Sequence, residues 1–237
     1  MTRNKNYSII LHIFLSYVLF IALLNLSGAG LGRIESYLLA FVSAFSAIVY
    51  LSYKYSSLFG VNVLLAAIFG FCTKLVIGYM FWQFYMWPDY FSNLNSTLVF
   101  DHYEYLFTSR SMERLAEFRI ENGFFTPPSL QHFLHQGKYI FINYLMSNLY
   151  LSGNVNLLDF SVQNSLFSFY TAIVISLIAL SIGSTKRKAK IIFIIALFQP
   201  FSLISTMIWR DVVGQFFVMF GVYLLLLSFN SRSLKIP

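Results

Sequence analysis

Acid is what this chain has least of. Its 237 residues hold nine Asp and Glu against sixteen Lys and Arg, and charged residues are 11% of the total. A soluble domain carries roughly 25%, so a water-facing globular surface is excluded. A single cysteine, Cys72, rules out a disulfide framework; its place inside an apolar run suits a small packing residue. There are no internal repeats and no low-complexity tract, no Walker motif and no Ser-His-Asp order. Gly28-Ala29-Gly30-Leu31-Gly32 is glycine-rich but follows a hydrophobic run and lacks the strand and helix of a dinucleotide fold, so it is no phosphate loop.

What remains is apolar. Hydrophobic residues are 58% and the mean hydropathy is +0.68, which places the chain among integral membrane proteins. Residues 8–26, 36–53, 58–84, 160–183, 191–208 and 212–229 form runs near the ~20 residues a helix needs to cross the hydrocarbon core. The expected fold is all-α: a single transmembrane domain over 1–237, with about six spans and a long exterior loop over about 85–157. The 27 Phe and 16 Tyr are the lipid-facing and interfacial load of such a protein and imply no cofactor box. Pro200, inside the fifth run, is expected to kink it.

Charge sets the expected orientation. With the N-terminus inside, the inner segments carry Arg3, Lys5, Lys54, Lys186, Arg187, Lys188, Lys190, Arg232 and Lys235 and no acid. All nine acids then fall in or beside outer segments, so both termini are expected in the cytoplasm and the functional face outside, at the cell (inner) membrane. The Lys186–Lys190 cluster reads as an anchor to membrane lipids rather than a nucleic-acid patch. Residues 138–152 are apolar but short and carry Asn143, Ser147 and Asn148; crossing there would put the Lys186 cluster outside, so they are expected as an interfacial or re-entrant helix.

A loop of this length in a compact membrane domain is usually functional. Residues 111–120 read as an amphipathic helix, with Met112, Leu115 and Phe118 on one face and Arg110, Glu113, Arg114 and Glu117 on the other; Thr126-Pro127-Pro128-Ser129 breaks it. Candidate chemistry clusters at three places. Trp87-Pro88-Asp89-Tyr90 sets a carboxylate among aromatics at the exit of the third span, where Asp89 can take a proton and Trp87 and Tyr90 can stack on a sugar; the alternative is a helix cap inside an interface belt. Asp101-His102-Tyr103-Glu104 has the spacing of a capping box, and its two carboxylates could also serve a substrate or a divalent metal. His132 and His135 share a helix spacing without a third ligand, so no metal site is assigned and no cofactor is certain. Trp209-Arg210-Asp211 lies in a tight outer turn, where Arg210 can grip phosphate oxygens and Asp211 can pair with it or cap the last span. Lys74 adds to these, because an amine well inside the third span is costly unless it snorkels, pairs or faces a polar cavity.

The order of these features resembles a known family. Pro88-Asp89-Tyr90 after the third span, the long outer loop, Asn164-Ser165-Leu166-Phe167-Ser168, a short basic inner loop, and Gln199-Pro200 leading to Trp209-Arg210-Asp211 look like the N-terminal half of GT-C-like polytopic glycosyltransferases and Wzy-type oligosaccharide repeat-unit polymerases. Here Asp89 is followed directly by Tyr90, where those relatives place Ser or Ala between, and Arg210 stands where they carry Lys. The resemblance implies transfer of a sugar or saccharide from a polyprenyl-phosphate-type carrier on the outer face, in surface polysaccharide assembly alongside other assembly proteins. Asp89 would then orient or deprotonate the acceptor, and Arg210, with Lys74 or Arg33, would stabilise the leaving phosphate. A lipid-linked sugar transporter and a non-catalytic assembly subunit stay open as alternatives.

Overall fold

In lipid a backbone amide finds its partner only within its own helix, and the apolar runs resolve accordingly in the computed structural model of the protein. The structure describes residues 3–25, 33–59, 62–81, 114–123, 126–131, 134, 143–145, 147, 157–199 and 211–232. Its long elements are α1 (Arg3–Asn25), α2 (Arg33–Phe59), α3 (Asn62–Phe81), α4 (Leu157–Ser181), α5 (Lys186–Phe198) and α6 (Asp211–Arg232), and there is no strand among the described residues. The fold is all-α. Three of these helices are long and apolar enough to cross a membrane, over Leu38–Tyr55, Val162–Ser181 and Val212–Phe229, as expected of a helical membrane protein. Shorter apolar stretches lie in α1 (Ser8–Leu24) and α3 (Asn62–Ile77).

In the fifth run α5 ends at Phe198, just before the expected kink at Pro200, and Gln199 takes an extended backbone (φ −59°, ψ 142°); the rest of the run lies outside the described residues. The cause is Pro200, whose ring crowds the preceding residue out of the helical region. α5 therefore begins earlier than the hydrophobic run and stops within it. Its first turn holds the exposed Lys186, Arg187 and Lys188, with the Thr185 hydroxyl accepting from the Lys188 amide at 3.3 Å. Gly183, at φ +92°, reverses the chain between α4 and α5, and the Ser184 amide donates back to the Ala179 carbonyl at 3.0 Å.

α4 is the central element, packed against α2, α3, α5 and α6. Every residue from Val162 to Val174 is buried, so this stretch has no lipid-facing side. Rings interlock around it: Phe167 meets Tyr17 of α1 and Phe216 of α6, with centroids 5.3 and 5.5 Å away, and Phe169 meets Phe193 of α5 edge-on. α3 comes close to α5 at Gly70, where a Cβ would lie 2.6 Å from the Leu197 side chain, so a larger residue would oblige Leu197 to shift.

Candidate functional site

Two buried cations mark the interior. Lys74 lies on the stripe Val63, Ala67, Phe71, Lys74, which recurs at helical spacing and is the side of α3 that packing hides. It is 0% exposed, and its Nζ donates to the Ser168 hydroxyl of α4, its one hydrogen-bond partner among the described residues. Of the three ways in which an amine tolerates this depth, the structure excludes snorkelling and shows a neutral partner instead of a carboxylate.

The N-terminal half of α4 adds further buried polar side chains. Gln163, Asn164, Ser165 and Ser168 are all buried. Further along, Thr171 donates to the Phe167 carbonyl at 2.9 Å and Ser176 to the Ile173 carbonyl at 2.7 Å, folding their hydroxyls back onto their own helix. Ser16 of α1 donates to the Ile13 carbonyl at 2.8 Å and lies 2.9 Å from the Tyr170 hydroxyl. Gln163 differs from all of these: it is 0% exposed, and neither its amide oxygen nor its amide nitrogen has a partner among the described residues.

The second cation is Arg119. The helix over residues 114–122 buries Leu115, Ala116 and Arg119 and leaves Arg114, Glu117 and Ile120 exposed, so its hidden face holds an arginine where Phe118, only half-buried, was expected. Gly123, at φ +107°, ends that helix before the two prolines are reached. Arg119, 2% exposed, donates to the Ser147 hydroxyl at 2.8 Å and the Tyr144 carbonyl at 3.2 Å, and its guanidinium sits 4.3 Å from the centre of the Tyr144 ring. Burial pushes its pKa below the usual arginine value, while the tyrosines at 144 and 17 hold it up. Tyr144 in turn donates to the Thr126 carbonyl at 3.1 Å.

This latch reaches into the bundle. Tyr17, about eight residues or ~12 Å from the Asn25 end of α1, donates to the Leu145 carbonyl at 3.4 Å. Because Tyr17 also meets Phe167, the neighbour of Ser168, it links Leu145 to the helix that receives Lys74. Replacing Arg119 by alanine is expected to loosen this latch. Hydrogen bonds to a charged group contribute about 1.5–3 kcal/mol, so labelling of Leu145→Cys by a thiol reagent, in a Cys72→Ala background, should rise on the order of tenfold or more; an unchanged rate would show that Arg119 holds nothing in place.

Lys74 is the one sequence-predicted site residue whose side chain the structure describes. Arg33 and Asp211 are the first residues of α2 and α6; their side chains lie outside the description. Trp87, Asp89, Tyr90, Asp101, Glu104 and Arg210 lie outside the described residues, as do His102, His132 and His135. Among the described residues no three His, Cys, Asp or Glu gather as metal ligands. Arg119 and Gln163 are additions from the structure. Arg119 follows Leu115 by four residues, a spacing that would have placed it on the inner face, and Gln163 is an amide inside an apolar run. Compared with known proteins, the chain matches no family model, no curated protein and no solved structure.

Proposed function

We propose that this protein is a polytopic membrane glycosyltransferase or polymerase that transfers a sugar or oligosaccharide from a polyprenyl-phosphate-type carrier at the outer face of the cell membrane, in surface polysaccharide assembly. Lys74 carries the reading: a buried amine bonded to a neutral hydroxyl inside a membrane helix is poised for an anion, and a lipid-borne phosphate is an anion that reaches such depth. In this reading the six apolar runs form six crossings, the fifth only begun by α5, with both termini cytoplasmic, supported by the exposed Lys54 and the exposed Lys186–Lys188 cluster at helix ends assigned to one side. The 143–147 segment then enters from the outside, above Lys74. Asp89 acts on the acceptor hydroxyl, and Arg210, with Lys74 and Arg33, stabilises the departing phosphate.

The depth of Lys74 also favours a second reading, a transporter for the same lipid-linked sugar, since a cation far inside a bundle can line a path as well as a site. Removing the protein from its host separates the two. A transferase leaves carrier-linked saccharide on the outer leaflet, where an impermeant glycosidase digests it; a transporter leaves it inside and protected. No accumulation on either side would sink both.

A further inference from the structure

A buried ammonium has three hydrogens to satisfy, on a flexible stem that does not fix where the charge sits. At Lys74 one of the three is placed: Nζ donates to the Ser168 hydroxyl, its one hydrogen-bond partner among the described residues. The other two have no partner there, and no described carboxylate pairs with the amine. Ser168 belongs to another helix and is itself buried, so the bond joins α3 to α4 with both ends enclosed. Elsewhere on α4 the hydroxyls of Thr171 and Ser176 donate to carbonyls of their own helix, whereas that of Ser168 accepts from a neighbour. Accepting this bond holds the nitrogen against α4, and the tetrahedral ammonium then turns its two remaining hydrogens away from Ser168.

Resting on the reading of Lys74 as the contact to the carrier's phosphate, we infer that Ser168 is a positioning residue for that contact: its hydroxyl anchors Nζ to α4 and leaves two ammonium hydrogens for the oxygens of one phosphate group. A charge already aimed at the place where negative charge develops needs no rearrangement during the reaction. A misplacement of ~1 Å can cost on the order of 10²-fold, and lysine alone does not prevent it. A hydroxyl that merely clipped α3 to α4 would act on every ligand alike. One that aims a cation acts on anions.

The test compares two probes on the full chain in detergent, farnesyl diphosphate and farnesol, which share the prenyl tail and differ in the anion. Wild type is expected to bind the diphosphate about a hundredfold more tightly, from two hydrogen bonds to a charged group at about tenfold or more each. Ser168→Ala should bind the diphosphate about tenfold more weakly than wild type and farnesol equally well, the latter showing that the bundle is intact. Ser168→Thr and Ser168→Val form a matched pair, alike in shape with a hydroxyl only in the first. The first should keep the preference for diphosphate, and the second should lose as much of it as Ser168→Ala. If Ser168→Ala keeps the full preference or weakens both probes equally, or if the matched pair behaves alike, the positioning role of Ser168 is overturned while the carrier reading survives. If wild type holds the diphosphate no better than farnesol, the carrier reading falls and this inference falls with it.

Discussion

Replacing Lys74 by methionine is expected to remove carrier binding while leaving the bundle folded. Methionine is unbranched, of similar length and adapts to irregular space, so it fills the slot between α3 and α4 with little repacking. The lysine makes a single described hydrogen bond, to Ser168, and replacing a buried charge by an apolar side chain of similar volume is often neutral or stabilising. Its function is another matter. Loss of one group that stabilises developing charge in a dry site costs on the order of 10²–10³ in rate, and Lys74→Met should lose that much transfer in proteoliposomes supplied with a diphosphate-linked saccharide. Thermal unfolding of the same preparation checks that the protein is intact. Turnover near the wild-type level, with a folded variant, would remove the phosphate role of Lys74.

A loss at least as large is expected for Asp89→Asn, of a different kind. Asparagine keeps the shape and hydrogen bonding of the carboxylate but cannot take a proton, and a general base contributes roughly 10²–10⁴ in rate. Asp89 follows the Phe81 end of α3 by eight residues, and Lys74 precedes that end by seven, so the proposed phosphate contact and the proposed base are fifteen residues apart in the chain. Asp89→Asn should therefore lower kcat with carrier affinity unchanged, whereas Lys74→Met should weaken affinity as well. Retained transfer in Asp89→Asn at unchanged protein level would eliminate the catalytic role of Asp89.

Much of the scaffold was legible beforehand because lipid is a demanding solvent. The runs at 36–53, 160–183 and 212–229 are overlapped by α2, α4 and α6 with shifted ends, as a backbone deprived of water must close its own hydrogen bonds. In the fifth run the proline signal acts one residue early: Pro200 restricts the residue before it, and Gln199 leaves the helix. Arg119 was overlooked for a physical reason. A charge on an amphipathic helix ordinarily belongs to solvent, and only a partner distant in the chain, here Tyr144 and Ser147, makes its burial tolerable. Lys74 was conspicuous as a lone cation in an apolar run, but its neighbour on α4 was not.

The linear order of residues by itself determined the solvent of this protein, its helical class and the anomaly at Lys74, since each depends on local composition and on the length of an apolar run. Tertiary structure alone decided that α4 is the central helix, that Lys74 meets Ser168, that Gln163 is enclosed without a partner among the described residues and that Arg119 joins its helix to Tyr144 and Ser147. Those outcomes follow from which helix faces fit one another, as at Gly70 and Leu197, and such fit joins residues more than a hundred positions apart.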